Sequence, residues 1–120
     1  MSFTKSDLKE VLQIKYNQET ISDLENLKNE LQAEASSAEK PRDTILEITN
    51  SSVIYSNEIG VIVQFLKMLP GTGRTLRLVA SLYVCEMLKT MNIHRIPNLA
   101  FYNDLNEVQR LFPDVDLGEL

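Results

Sequence analysis

Tryptophan is absent from the 120 residues, and cysteine and histidine occur once each, as Cys85 and His94. One cysteine excludes a disulfide within the chain. With a single histidine beside it, neither a two-histidine site nor a Cys/His cluster can be assembled to hold zinc. A nucleophilic Cys85/His94 pair would need a third, orienting group in the same pocket, and Cys85 stands in an apolar run where a small buried hydrophobe is the ordinary role. Glycine and proline are scarce, with four of each, so few turns are enforced. No apolar run approaches the ~18 residues of a membrane span, and the acidic amino terminus does not resemble a secretory or organellar presequence. The acids are scattered, and no two carboxylates are placed at a strand end as general acid and base. These absences argue against an enzyme, a metal, a cofactor or a small-molecule substrate, and for a monomeric cytoplasmic domain without membrane contact.

What is present supports one folded unit. Hydrophobic residues make up 43% of the chain, enough for a core that buries roughly two-thirds of the unfolded surface at this length. The net charge is −5, which at first disfavours nucleic acid, because phosphate neutralisation supplies much of that affinity. The distribution is uneven. Residues 1–40 hold five lysines against eight acids and residues 98–120 are again acidic, whereas residues 67–97 carry Lys67, Arg74, Arg77, Lys89 and Arg95 against Glu86 alone. Positive charge is confined to one segment.

Leu8, Val11, Leu12 and Ile14 are compatible with a helical extension over residues 1–19. From Ser22 a capping-box pattern opens a second helix, with Leu24, Leu27 and Leu31 as its apolar stripe. Pro41 marks a boundary. Thr44 to Thr49 and Ile59 to Leu66 are rich in β-branched residues and read as an antiparallel hairpin, although short apolar runs are ambiguous between strand and helix. Pro70 to Gly73 is a loop. Pro70-Gly-Thr-Gly-Arg-Thr75 has the look of a phosphate-binding loop, but it lacks the earlier glycine and the lysine such a loop uses, and a plain turn is expected. Leu76, Ala80, Tyr83 and Met87 follow the α period, predicting one helix from Arg74 to Met91 that feeds a strand at Leu99 to Tyr102. A short helix follows from Leu105, and residues 113–120 form an acidic tail expected to fray.

Arg74 and Arg77, one turn apart on that helix, and Lys89, His94 and Arg95 at its far end form, with Lys67, a candidate RNA-contacting set. The competing reading is a solvated helix face, or arginines paired with acids.

Pro41-Arg42, Ile48-Thr49-Asn50, the run Val61 to Leu66 and the run Met91 to Asp104 together resemble the ribosome-binding factor A family in order and approximate spacing, over roughly residues 20–110. Val79-Ala80-Ser81 stands where that family has an Ala-x-Gly helix kink. The resemblance implies an α+β, type II KH-like fold over residues 20–112, in helix-strand-strand-helix-strand order with helices on one face of a three-stranded sheet. It also implies a non-enzymatic assembly factor that binds 16S-type rRNA of the small ribosomal subunit through Lys67, Arg74, Arg77, Lys89, His94 and Arg95. The alternative is a protein-protein interaction module on the same fold that has lost RNA binding.

Overall fold

In a computed structural model, which describes residues 3–118, Val11–Tyr16 is a strand with five of its six residues buried. Burial on both sides of a short segment is what an interior strand requires, and a surface helix cannot provide it. This strand is β2. Phe3–Asp7 is β1 and pairs with it antiparallel, Phe3 opposite Tyr16 and Asp7 opposite Leu12. The helical extension expected over residues 1–19 is therefore corrected, over residues 3–16, to a hairpin that forms part of the sheet; residues 1–2 lie outside the described residues.

Helix α1, Ile21–Ala35, buries Leu24, Leu27 and Leu31 as its stripe demands. Its cap is Thr20, not Ser22: the Asp23 carboxylate accepts from the backbone N–H of Glu19 at 2.9 Å and of Thr20 at 2.8 Å. Strand β3 is Asp43–Ile48. Ser56–Lys67, which includes the segment expected to be a second hairpin strand, is instead helix α2. Its buried residues Ile59, Ile62, Phe65 and Leu66 follow the helical period. The β-branched content misleads here because burial, not propensity, decides between the two states. The expected helix from Arg74 also divides, into strand β4, Leu76–Val79, and helix α3, Leu82–Thr90. Ser81 separates them, its hydroxyl accepting from the Val84 N–H at 3.1 Å as an N-cap. A 3-10 turn at Ile93–Arg95, strand β5 at Leu99–Tyr102 and helix α4 at Leu105–Gln109 complete the order.

The five strands lie in the order β1-β2-β3-β4-β5; β1 is antiparallel to β2, and the other pairs are parallel. Parallel neighbours demand crossovers, which α1, α2 and α3 supply. Each crossover steps one strand in the same direction, and with the right-handed connection general to such units this puts all three helices on one face, where their buried residues share one core cluster. There Leu12, Ile14, Tyr16, Leu46 and Leu78 meet Leu27, Ile62, Phe65 and Leu88 in the larger core. The KH-like expectation of a three-stranded sheet is overturned: this is an α/β fold with a five-stranded mixed sheet.

The other face is covered by the carboxy-terminal segment. Val108, Val115 and Leu117 pack on Val11, Ile45 and Val79. Residues 113–118, expected to fray, are held by Gln109, whose amide donates to the carbonyls of Phe112 and Val115 and whose carbonyl accepts from the Leu117 N–H at 2.9 Å. Gln109→Ala removes all three bonds. It is expected to cost about 1–3 kcal/mol and to release amide-exchange protection at Leu117 while the sheet stays protected; unchanged protection there would contradict this clamp.

Candidate protein-interaction face

Parallel strands end together, and in α/β sheets the loops beyond their carboxyl ends carry the sites. Here those loops are residues 17–22, 49–57, 80–83 and 103–107. Helices α1, α2 and α3 begin at this end, and their first turns or caps carry large apolar side chains in solvent: Ile21 (66% exposed), Tyr55 (49%), Leu82 (65%) and Tyr83 (59%). Among the described residues Met68 (37%), Met91 (51%) and Leu111 (49%) are exposed elsewhere, so four of the seven large apolar side chains in solvent stand at the starts of these three helices.

The loops are tied to one another. The Ser81 hydroxyl donates to the Ser51 carbonyl at 2.9 Å, joining the β4–α3 and β3–α2 loops. The Asn103 amide donates to the Ala80 carbonyl at 3.2 Å and reaches the Cys85 sulfur at 3.5 Å, bringing in the β5–α4 loop. Beneath the face the buried Glu58 carboxylate accepts from the Tyr55 N–H at 2.7 Å, fixing the backbone that presents the Tyr55 ring. Tyr16, at the end of β2, is fully buried; burial raises its pKa, as do the Glu58 and Asp23 carboxylates, placing it between the caps of α1 and α2. Burial likewise raises the Cys85 thiol, keeping it protonated and unreactive at neutral pH. The face is thus pre-organised, which lowers the ordering cost of binding.

Its electrostatics are one-sided. The loops together with the first turns of the helices that follow them, residues 17–22, 49–58, 80–86 and 103–107, contain Glu19, Glu58, Glu86, Asp104 and Glu107 and no lysine, arginine or histidine. All of these acids but Glu58 are exposed. An apolar centre with an acidic rim results.

The six residues expected to contact RNA do not form one surface. Arg74 is 3% exposed; its guanidinium donates to Glu34 at 3.2 Å and to the carbonyls of Ser37 and Glu39 at 3.0 and 3.3 Å. Arg77 lies on β4, under the carboxy-terminal segment, where Nε donates to Asp43 at 2.8 Å and Nη1 to the Tyr102 hydroxyl. Its guanidinium stands 5.7 Å from the Phe112 ring centroid. Burial pulls the Arg77 pKa down and the Asp43 carboxylate more than offsets this, so the charge is held firmly. Lys67 is exposed at the end of α2, and Lys89, 3.6 Å from Glu86, is exposed near the end of α3. Only Lys89, His94 and Arg95 fall near each other, in α3 and the turn after it.

Ile21, Leu82 and Tyr83 were hidden in the sequence among core stripes. The legible signal was local: Thr20-Ile21 and Ser81-Leu82 each place an apolar residue directly after a capping residue, at a first-turn position that faces outward.

No family model matches the chain, and no curated protein does. Among solved structures, the chain is similar in fold to an anti-sigma-factor antagonist (STAS) domain protein from Planctomyces limnophilus, with a TM-score of 0.69 and 14% identity, over 93% of this chain and 99% of that one. That likeness and the five-stranded sheet overturn the resemblance to ribosome-binding factor A, and with it the assignment to rRNA, the small subunit and ribosome assembly. Among the described residues no helix is long and apolar enough to cross a membrane.

Proposed function

We propose that this chain is a non-enzymatic protein-interaction domain of the anti-sigma-factor-antagonist kind, acting as a monomer in the cytoplasm. On this reading it binds an anti-sigma factor through the carboxyl-end face of its sheet. The observation that carries the reading is the set Ile21, Tyr55, Leu82 and Tyr83, exposed together at the starts of three helices on an acid-rimmed, internally braced surface. The fold of the Planctomyces limnophilus protein supports the choice of partner class. Aromatic and branched side chains at the centre supply the affinity, and the acids at the rim select a basic partner surface and speed encounter.

The test is to titrate the full chain with anti-sigma factors from its own genome by calorimetry and size exclusion. A one-to-one complex is expected, with association slowing as salt rises through the range where the Debye length falls from about 10 Å to about 3 Å. Failure of every such factor to bind would overturn the proposed partner.

A further inference from the structure

The sheet ends in two unlike edges. β1 and β5 are its outer strands, each paired on one side only. An outer strand turns unpaired N–H and C=O groups outward, and charges along it are the usual guard against a foreign strand. β1 has that guard: Lys5 pairs with Glu30 of α1 at 2.8 Å, and Asp7 pairs with Arg42. β5, Leu99-Ala-Phe-Tyr102, has no charged residue, and all four of its residues are half-buried. Its bonding direction is fixed by its neighbour. The Leu76 N–H donates to the Asn98 carbonyl at 2.8 Å and the Ala80 N–H to the Tyr102 carbonyl at 2.9 Å, so the even-numbered residues face β4. Alternation then turns the N–H and C=O of Leu99 and Phe101 outward. The next outward N–H, at Asn103, donates to the Glu107 carboxylate at 3.3 Å.

The side chains around this edge define what it accepts. Leu99 and Phe101, in register with Leu76 and Leu78, lie on the helix side and, with Met87 and Ile96, are half-buried against the larger core. Ala100 points to the other side of the sheet and offers only a methyl group. An added strand therefore extends the core through apolar side chains at alternate positions. Charge is ordered along the edge. His94 and Arg95, exposed and without an ion-pair partner among the described residues, precede β5, and the exposed Asp104 and Glu107 follow it. A strand running antiparallel, the slightly more stable pairing, sets its carboxyl end beside Arg95 and its amino end beside Asp104. We propose that the open edge of β5 takes an extended segment of a partner protein as a sixth, antiparallel strand. That segment carries apolar side chains opposite Phe101 and Leu99, basic residues at its amino end and acidic residues at its carboxyl end. Main-chain bonds to Leu99 and Phe101 supply affinity, and the alternate side chains and end charges supply specificity. The choice of a partner strand over a second copy of β5 rests on the monomeric reading above; the edge does not depend on the carboxyl-end face.

The experiment is an amide NMR titration of the full chain at low salt with the end-capped probe peptide Lys-Lys-Thr-Ile-Thr-Val-Thr-Glu-Glu. Saturable shifts in β5 are expected, with amide exchange at Leu99 and Phe101 slowed at least about tenfold and exchange at Ala100, already bonded to β4, unchanged. N-methylation of the probe's isoleucine and valine, which removes the two donors aimed at β5, should weaken binding about tenfold or more. N-methylation of its central threonine, whose N–H points away, should cost less than about threefold. Exchanging the lysines and glutamates of the probe, or Arg95→Glu in the chain, should each weaken binding about threefold or more. The absence of saturable shifts up to about 5 mM probe, a regime of very weak affinity, would overturn the proposal while leaving the monomeric reading intact. Equal binding of the doubly methylated probe would also overturn it. Sedimentation of the chain alone separates the remaining case: concentration-dependent dimers with Leu99 and Phe101 protected would replace the partner strand by a second copy and end the monomeric reading.

Discussion

Glu34→Ala is expected to lower the folding free energy by about 3–5 kcal/mol, a large share of what a domain this size possesses. Glu34 lies in the last turn of α1 and is 6% exposed. Its two oxygens take a bidentate pair of hydrogen bonds from Arg42 and a further one from Arg74. Removing the carboxylate strands the buried Arg74 guanidinium with only the Ser37 and Glu39 carbonyls for partners, and an uncompensated buried charge costs far more than the pair contributes. The cluster also ties α1, the loop before β3, the start of β4 and, through Asp7, the amino-terminal hairpin, so the loss should be cooperative. Urea unfolding monitored by circular dichroism checks this; a change under about 1 kcal/mol, typical of an exposed pair, would contradict it.

Acidification below about pH 4 weakens the same cluster from its exposed side. Arg42, by hydrogen bond and charge, holds the Asp7 carboxyl below its ordinary 3.8. The folded chain therefore binds fewer protons there than the unfolded chain. The stabilisation is present at neutral pH and is lost as pH falls through the folded value, below about 4.

Phe65→Ala is the second large effect, at about 3–5 kcal/mol. Phe65 is 1% exposed and belongs to the cluster in which α2 meets the sheet. The vacated volume lies between the α1–α2 pair and the central strands, where neighbours are already close-packed and collapse only partly. The melting temperature should fall by at least about 9 °C at the roughly 3–6 °C per kcal/mol expected for this length. Under the hairpin reading of residues 59–66, Phe65 and Ile62 fall on opposite faces; in α2 both enter one core, and Ile62→Ala should destabilise as well.

Where the sequence could be read and where it could not follows from what each segment packs against. Leu24, Leu27 and Leu31 make a one-sided stripe flanked by charge, so α1 is visible from periodicity alone. Thr44 to Thr49 and Leu99 to Tyr102 are short and bounded by proline or asparagine, and both are strands. The strands at Val11–Tyr16 and Leu76–Val79 do alternate, as Leu12-Gln-Ile-Lys-Tyr16 and Leu76-Arg-Leu78, but the runs are short and their apolar residues also fit a helical spacing with neighbours outside the strand. Leu76 and Ala80 lie four residues apart and imitate a helix, while Leu76-Arg-Leu-Val79 is a parallel strand whose neighbours cover both its faces. In Val11 to Tyr16 the helix-compatible spacing of Leu8, Val11, Leu12 and Ile14 competes with that alternation, and only the fold shows Leu12, Ile14 and Tyr16 under the helices and Val11 under the carboxy-terminal segment. Once those strands were lost, the crossover order vanished, and a three-stranded family took its place.

The candidate site suffered from a different limit. Arg74 and Arg77 are basic in sequence, but their charge is spent on Glu34 and Asp43, residues distant along the chain. Net charge by segment cannot register such pairing. The proposed interaction face is built from side chains that composition counts as core, and only the fold shows that Leu82 and Tyr83 are exposed.

The most direct measurement is the affinity of the double variant Leu82→Asp, Tyr83→Asp for the anti-sigma factor proposed as partner, with thermal unfolding recorded alongside. Substitution at such exposed positions should leave stability within about 0.5 kcal/mol. Affinity should drop by about 100-fold or more, the scale of losing central aromatic and aliphatic anchors. Unchanged affinity in a fully folded variant would contradict the placement of the partner at the carboxyl end of the sheet.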